Sequence, residues 1–247
     1  MNDWSISDAY SKQKYDVLAL ELGASLYDTL FKQTDLAIRV QHLRQRIMGT
    51  HGLFVPAIRI KPTELAPHRY VVRTRGQLAG EGVLRPPLLF SSVHEEGEPG
   101  VHPVTNEAGV WTDSDGTPAA DLLLDHLLYV MEKKAPDLLT FETASRWWLQ
   151  ARTHTPLLYK ELEKRGMTTG LMWQVMRKLL AQRIPLHPFE QLLETIVAYY
   201  VVHPPQGHAP PEWSSAHPDD IVKYVAKQKK KRLPPPKRPT AVIHRIE

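Results

Sequence analysis

The chain of 247 residues contains no cysteine. Disulfide bonds, thiolate metal ligands and a cysteine nucleophile are therefore excluded, and the sequence is compatible with a reducing compartment. It also lacks a glycine-rich phosphate loop, a nucleotide-binding fingerprint and, around Ser91 and Ser92, a Gly-x-Ser-x-Gly elbow. The carboxylates Glu21, Asp28 and Asp35 have no nucleophile near them, so we interpret them as surface groups. We expect a protein that is not an enzyme and that uses no cofactor.

Long apolar runs are also missing. The most apolar stretches are residues 122–131 and 195–202, and the first of them contains Asp125 and His126. A membrane-spanning helix needs about 20 predominantly apolar residues. The N-terminal residues have no apolar core and do not form a secretory signal. With 42% hydrophobic and 23% charged residues, the composition is typical of a soluble globular protein.

Twelve histidines raise the question of a metal site. They are scattered, without an HExxH motif or a pair spaced i, i+4 on a predicted helix. Only residues 94–98 concentrate His and Glu, and carboxylates in such a loop are usually solvated. Residues 113–116 resemble the opening of a calcium loop but lack its terminal Glu, so we interpret them as a turn. The sequence predicts no metal site.

Positive charge is concentrated at the C-terminal end. Residues 223–247 carry nine Lys and Arg side chains and one Glu, whereas the rest of the chain has 22 Lys and Arg against 26 Asp and Glu. The basic cluster consists of Lys227, Lys229, Lys230, Lys231, Arg232, Lys237 and Arg238. It predicts either a solvated tail or a surface for polyanions such as an anionic membrane. No aromatic residues alternate with these cations, which argues against base stacking with RNA or DNA.

Hydrophobic patterns divide the chain into a mixed part and a helical part. Residues 1–14 are polar and are interpreted as a flexible lead-in. The predicted elements that follow are a buried strand at 17–22, an amphipathic helix at 35–48 and half-buried strands at 55–60 and 70–75. Residues 81–118 are rich in Gly, Pro, Glu, His and Ser, and they predict a loop-rich insert with little regular structure.

Beyond the insert the pattern is helical. The predicted helices cover residues 119–134, 136–151, 156–164, 168–182 and 188–200. Prolines 136, 156 and 188 lie where first turns would begin, which is their tolerated place in a helix. The remaining predicted segments are a linker at 204–217, a helix at 218–233 and a disordered, basic, Pro-rich tail at 234–247. The sequence therefore predicts an α+β fold.

Tryptophan positions give the predicted core of the helical part. Trp147, Trp148 and Trp173 are interpreted mainly as packing residues, because adjacent tryptophans on a helix are rarely both exposed. Trp111, in the loop-rich insert, leaves two alternatives open. It either packs locally or stays partly exposed as an anchor for a partner protein.

Several short motifs occur in an order that resembles one known family. Residues 52–60 read Gly-Leu-Phe-Val-Pro-Ala-Ile-Arg-Ile, and residues 179–186 contain Leu-Leu-x-x-Arg-Ile-Pro-Leu. A Leu-Glu-Leu-Gly run at 20–23 precedes them, and a Leu-x-Pro-x-x-Tyr turn occupies residues 65–70. From residue 17 to about residue 200, their order and spacing resemble the cytosolic part of the FHIPEP family, the bacterial flagellar and type III secretion export gate.

The resemblance implies an arrangement of subdomains. It implies a ferredoxin-like α/β unit at residues 15–80 and 119–134, an inserted subdomain at 81–118 and a helical subdomain at 135–203. It further implies a protein-docking function, assembly into a ring and a cytoplasmic location peripheral to the inner membrane. Export chaperones, their cargo or other secretion proteins are the implied partners, and nucleic acid is not expected. The implied partner-binding residues are Leu88, Phe90, His102, Pro103, Thr105, Val110, Trp111, Asp125 and His126.

Some positions depart from the family pattern. The docking segment of the family resembles Asp-Pro-x-Phe-Gly-Leu-Pro-Ala-x-Trp, and here His102 and Thr105 occupy the Asp and Phe positions while Pro103 and Trp111 keep their spacing. By this resemblance we expect a shortened chain without the membrane half of the family, in which the last α/β subdomain is reduced to a helix and a basic tail. The alternative function is therefore polyanion binding by this tail on an export-derived scaffold.

Overall fold

The computed structural model describes residues 16–32, 34–93, 96–204 and 217–232, with side chains described up to residue 230. An α/β unit comes first. It contains strand β1 (Leu18–Leu22), helix α1 (Ala24–Leu26) with a π-helical turn (Tyr27–Lys32), helix α2 (Leu36–His51), and strands β2 (Arg59–Pro62), β3 (Arg69–Thr74) and β4 (Gln77–Val83). The lead-in predicted at residues 1–14 lies outside the described residues.

The first sheet has the strand order β2–β1–β3–β4. Strand β1 is parallel to β2 and antiparallel to β3, and β4 is antiparallel to β3. All five residues of β1 are buried, as expected for a short apolar run between two neighbouring strands. In a ferredoxin-like unit the two parallel strands are split by a third strand. The α/β unit differs from the ferredoxin-like expectation in this pairing.

The interpretation of Glu21 as a surface group is wrong. The residue is 9% exposed, and its carboxylate accepts a hydrogen bond from Arg73 Nε at 3.0 Å and pairs with Lys61 Nζ at 3.1 Å. Arg73 lies on β3 and Lys61 on β2, the two neighbours of β1. The carboxylate is buried because both of these cations neutralise it. Asp28 and Asp35 are exposed.

The insert is more regular than the sequence predicts. Strands β5 (Leu89–Ser91), β6 (Glu98–Val101), β7 (Ala108–Thr112) and β8 (Thr117–Pro118) form a second sheet in the order β6–β7–β5–β8. All pairs in this sheet are antiparallel. The bend at residues 113–116 between β7 and β8 is the predicted turn.

The helical part follows the predicted order. Its elements are α3 (Ala119–Lys133), α4 (Ala135–Leu138), α5 (Phe141–His154), α6 (Pro156–Lys164), α7 (Thr169–Ala181), α8 (Phe189–Val202) and α9 (Pro218–Arg232). The single helix predicted at 136–151 is divided, because Leu139 is extended and Thr140 Oγ1 accepts a hydrogen bond from Thr143 N at 3.0 Å to begin α5. The α+β fold is confirmed. No helix among the described residues is both long and apolar enough to cross a membrane.

The two stretches that carry the family resemblance contact each other. Leu186 N donates a hydrogen bond to His51 O at 2.8 Å, at the C-terminal end of α2. Gly52 ends this helix with a φ of +66°, and a Cβ atom at Gly52 would lie 2.6 Å from His187 N. We call this contact, formed by residues 51–52 and 186–187, the joint. It fixes the α/β unit against the turn between α7 and α8.

Helix α9 packs against α7 and α8. Ile221, Val222 and Val225 on its inner face are fully buried. Near its other end, Lys229 Nζ donates to His187 O at 3.2 Å and also contacts Pro185 O. The helix therefore contacts the turn that forms one side of the joint. Residues 234–247 lie outside the described residues.

Candidate protein-docking site

The β6–β7 hairpin contains residues 102–111, the segment that the sequence predicts to be a docking segment. Its connecting loop, residues 102–107, is closed by His102 N donating to Glu107 O at 2.9 Å and by Asn106 N donating to His102 O at 2.9 Å. The His102 ring also fixes the loop, because Nδ1 accepts hydrogen bonds from Val104 N at 3.2 Å and Thr105 N at 3.3 Å. His102 thereby orders the loop through main-chain contacts.

Two aromatic side chains form the base of the insert. Phe90 and Trp111 lie opposite each other on β5 and β7, with ring centroids 5.4 Å apart in an edge-to-face arrangement. Phe90 is 4% exposed and Trp111 is 2% exposed. Of the two alternatives for Trp111, the structure gives local packing. The His102 ring lies 5.8 Å from Phe90, so the aromatic base supports the loop directly.

His126 connects helix α3 to the first sheet. Its Nδ1 lies 2.6 Å from Tyr70 Oη on β3, and His126 is 4% exposed. Two glycines of β4 leave room for these rings. A Cβ atom at Gly80 would lie 2.8 Å from His126 Nε2, and one at Gly82 would lie 2.7 Å from the Tyr70 ring. A side chain at Gly80 would overlap the His126 ring, and one at Gly82 would overlap the Tyr70 ring.

Protonation of His126 is disfavoured in the folded protein. Burial lowers the pKa of this imidazole, and the nearby His102 lowers it further. His126 Nδ1 shares a hydrogen bond with Tyr70 Oη, and burial raises the pKa of this tyrosine, so its hydroxyl group stays protonated. The unfolded chain therefore binds a proton more readily than the folded protein below the ordinary pKa of 6.5.

We expect His126 to make the stability of the folded protein depend on pH. Because the folded pKa is depressed, this contribution is fully present above about pH 6.5 and is lost as the pH falls towards the folded pKa. Urea unfolding is measured at several pH values between 7.5 and 5. As the pH falls, the free energy of unfolding should decrease more steeply for the natural sequence than for His126→Gln. Equal slopes for the two proteins would contradict this assignment.

The structure brings most of the expected partner-binding residues into one region. Buried members form its base, namely Phe90, Trp111 and His126, with His102 and Val110 partly buried. At the surface are Thr105 and Asp125, both exposed, and Pro103, which is partly exposed. Leu88 lies apart from the loop, at the opposite end of the hairpin, where it lines a cavity beside Trp111. The buried side chains support the surface and do not themselves offer a free face.

The basic cluster is divided by the structure. Lys227 and Lys230 are exposed on α9, whereas Lys229 is engaged with the turn between α7 and α8. Lys231 and Arg232 belong to the last turn of α9. Lys237 and Arg238 lie outside the described residues. Only part of the predicted polyanion surface is therefore visible.

Several residues of the region were not predicted from the sequence to belong to it. Tyr70, Gly80 and Gly82 give His126 its place, and Gly100 and Gly109 lie under the Trp111 and Phe90 rings. A signal for them exists, because glycine inside a strand pattern often marks close approach of another group. Among the described residues, no group of three or more His, Asp or Glu side chains could hold a metal ion.

Sequence comparison shows relatives along most of the chain. It is 26% identical over 203 residues to the flagellar biosynthesis protein FlhA of Helicobacter pylori, covering 74% of this chain and 27% of that protein. It is 22% identical over 209 residues to FlhA of Salmonella typhimurium, covering 76% of this chain and 30% of that protein. The chain thus spans less than a third of the length of these curated relatives.

Solved structures share the fold at low sequence identity. The Chlamydia pneumoniae CdsV protein superposes with a TM-score of 0.66 at 15% identity, over 86% of this chain and 66% of CdsV. The structure of the Chlamydia pneumoniae CdsV and CdsO complex superposes with a TM-score of 0.67 at 14% identity, over 86% of this chain and 70% of the matched chain. The nonameric SctV-C of EPEC superposes with a TM-score of 0.61 at 13% identity, over 85% of this chain and 64% of SctV-C.

The family model covers most of the sequence. Residues 3–207 match the FHIPEP family, a span that includes the α/β unit, the insert and helices α3 to α8. This span contains the joint and the hairpin described above. The chain belongs to the FHIPEP family and is related to the export gate of flagellar and type III secretion systems.

Proposed function

We propose that this protein is a non-enzymatic docking component of a type III export apparatus, and that it binds export chaperones, their cargo or other secretion proteins. The docking surface consists of the hairpin loop, residues 102–107, and the exposed side of α3 around Asp125. We call it the hairpin face. The proposal is carried by one observation, which is that the exposed Thr105 and Asp125 lie above the buried side chains Phe90, Trp111 and His126.

The rigidity of this base matters for affinity. Thr105 and Asp125 project into solvent, while His102 and His126 below them are fixed by hydrogen bonds to the loop and to Tyr70. A partner that binds a preformed surface loses less conformational entropy than one that must order a loop. Exposed apolar side chains border the face, since Val101 is 55% exposed and Tyr129 is 38% exposed. Polar groups beside such apolar area are typical of transient docking surfaces.

The relatives support the kind of partner and the assembly. A structure of CdsV with CdsO supports binding of this chain to another secretion protein. The nonameric structure of SctV-C supports a ring of identical chains. A cytoplasmic location beside the inner membrane agrees with such an assembly.

A second proposal is polyanion binding through α9 and the tail. Lys223, Lys227 and Lys230 are exposed and spaced as one face of a helix, opposite the buried Ile221, Val222 and Val225. Each such cation near an anionic membrane contributes about 1 kcal/mol. The anchoring of Lys229 leaves this face intact.

We expect the double variant Thr105→Arg/Asp125→Arg to weaken retention of export chaperones and export components from the same organism at least about tenfold, which corresponds to 1.4 kcal/mol. Both residues are exposed, so the fold should be retained. A quantitative pull-down with the full chain as bait measures this effect.

The control for the docking test is Glu194→Arg, which changes the charge at an exposed site on α8 by the same amount as Asp125→Arg does in the double variant. It should leave retention unchanged. If no chaperone or export component is retained, or if the control variant loses as much binding as the double variant, the hairpin face is not the docking surface. Retention that instead vanishes at high salt and on Lys227→Glu/Lys230→Glu would favour the polyanion proposal.

A further inference from the structure

The conformation of the hairpin loop, residues 102–107, depends on one nitrogen atom of His102. Nδ1 of this ring accepts hydrogen bonds from Val104 N at 3.2 Å and from Thr105 N at 3.3 Å. A backbone N–H group can only donate, so Nδ1 presents its lone pair and the proton of the neutral ring is on Nε2. The folded loop therefore requires one tautomer of a neutral histidine.

A proton on His102 Nδ1 would remove this acceptor. Both ring nitrogens of an imidazolium are donors, so Nδ1–H would face the N–H groups of Val104 and Thr105. Histidine is the side chain that ordinarily changes charge between about pH 5 and 8, so mild acid is enough to produce this loss. Both hydrogen bonds from the loop backbone to the ring are therefore available only to neutral His102.

The other bonds that close the loop do not titrate. His102 N donates to Glu107 O and Asn106 N donates to His102 O, each at 2.9 Å, and these bonds hold the ends of β6 and β7 together. Asn106 has a φ of +60°, a backbone conformation that is uncommon for a residue with a side chain and that persists where surrounding contacts hold it. Loss of the ring contacts would free residues 103–105 without separating the two strands.

The groups around the His102 ring are largely uncharged. On β5 the Phe90 ring lies 5.8 Å away, and β7 carries no charged residue. On α3 the buried His126 imidazole is kept neutral, because burial and the nearby His102 both lower its pKa. The carboxylates of the region are those of Glu107 in the loop itself and of Asp125 on α3, and both residues are exposed. None of these groups replaces the acceptor that the loop backbone loses.

We propose that the hairpin loop is a proton-operated switch, which neutral His102 holds closed and protonated His102 releases. As a regulation of docking, this inference rests on the proposed function. Thr105 belongs to the hairpin face, and one of the hydrogen bonds lost on protonation fixes its main chain. A partner would then have to order residues 103–105 as it binds, and the entropy of that ordering opposes binding. The hairpin face therefore binds its partner more weakly at acidic pH.

Backbone order parameters from NMR relaxation of the full chain test the switch. Between about pH 7.5 and 5, those of Val104 and Thr105 should fall from about 0.85 to below about 0.6, the values of rigid and flexible backbone. The fall should share its midpoint with the titration of the His102 ring. Order parameters that stay high while this ring takes up its proton would overturn the switch.

Two substitutions at residue 102 give the matched comparison. His102→Asn supplies a side-chain oxygen that can accept from the same N–H groups, as in an Asx turn, but it does not titrate, so its loop should stay rigid over the whole pH range. His102→Ala supplies no acceptor, so its loop should be flexible at every pH. A loop of His102→Asn that opens in acid would overturn the switch. So would loss of the acid response in His126→Gln, because the proton responsible would then be on His126.

Retention of export chaperones at about pH 7.5 and 5 tests the consequence for docking. Retention by the natural sequence is divided by retention by His102→Asn, so that effects of pH on the chaperone cancel. This ratio should fall up to about tenfold in acid, since a closed loop populated to one tenth weakens the apparent affinity by the same factor. A constant ratio while the loop opens would overturn the regulation of docking. If neither protein retains a chaperone at either pH while the order parameters respond as expected, the proposed function fails and the switch itself holds.

Discussion

Replacing Gly52 by alanine is expected to lower the free energy of unfolding by at least about 2 kcal/mol, and the melting temperature by about 4–8 °C. Two costs combine. Gly52 has a φ of +66°, a conformation that costs an L side chain roughly 1–2 kcal/mol. In addition, the new Cβ atom would lie 2.6 Å from His187 N and 3.0 Å from Leu186 C, which are backbone atoms that cannot rotate away.

The damage should extend beyond the residue itself. To relieve the overlap, α2 and the turn after α7 must separate, and this weakens the hydrogen bond from Leu186 N to His51 O. That bond contributes about 1 kcal/mol. In the same turn, His187 O accepts a hydrogen bond from Lys229 Nζ, so α9 would lose one of its contacts. Calorimetry of the natural sequence and the variant measures the combined effect.

Gly49 offers a matched control three residues earlier. It lies inside α2, and a Cβ atom there would meet nothing within 4 Å. Gly49→Ala should raise stability by up to about 1 kcal/mol, because alanine favours the helical conformation over glycine. Melting temperatures that change in the same direction for both variants would show that the joint does not constrain Gly52.

Helix and strand periodicity predicted most of the fold. The helices at 119–134 and 156–164 were placed almost to the residue, because a continuous apolar stripe and Pro156 at the first turn mark them. The strand predicted at 55–60 begins only at Arg59. The reason is tertiary, since Arg44 donates from Nε and one Nη to Val55 O at 3.0 and 2.9 Å and so takes a carbonyl that a strand would use.

The strands of the insert were not predicted because glycines interrupt their apolar pattern. Cβ atoms at Gly100 and Gly109 would lie 2.5 Å from Trp111 Nε1 and 2.6 Å from Phe90 Cζ, so the aromatic rings cover these glycines across the sheet. Because glycine contributes no side chain, the apolar alternation of a strand is missing from the sequence. The same feature hid the burial of Trp111, whose ring packs over Gly100 and against the Phe90 ring.

Trp111→Ala should therefore unfold the insert rather than remove a single contact. A buried tryptophan truncated to alanine costs about 3–5 kcal/mol, and this sheet of four short strands has few other large core residues besides Phe90. Hydrogen exchange should rise throughout residues 89–112, while the first sheet and helices α5 to α8 keep their protection. Partner binding at the hairpin face would be lost as a consequence, since the loop no longer has its base.

Trp111→Phe separates packing from recognition. Phenylalanine keeps an aromatic ring against Phe90 and the glycines, so the cost should be well below that of Trp111→Ala, and protection of the insert should persist. Val101→Ala, at an exposed position of the same hairpin, should change protection little. Should Trp111→Ala leave hydrogen exchange at 89–112 unchanged, the aromatic pair would not be the core of the insert. If Trp111→Phe retains protection and partner retention while Thr105→Arg/Asp125→Arg retains only protection, recognition lies in the exposed groups and Trp111 acts beneath them.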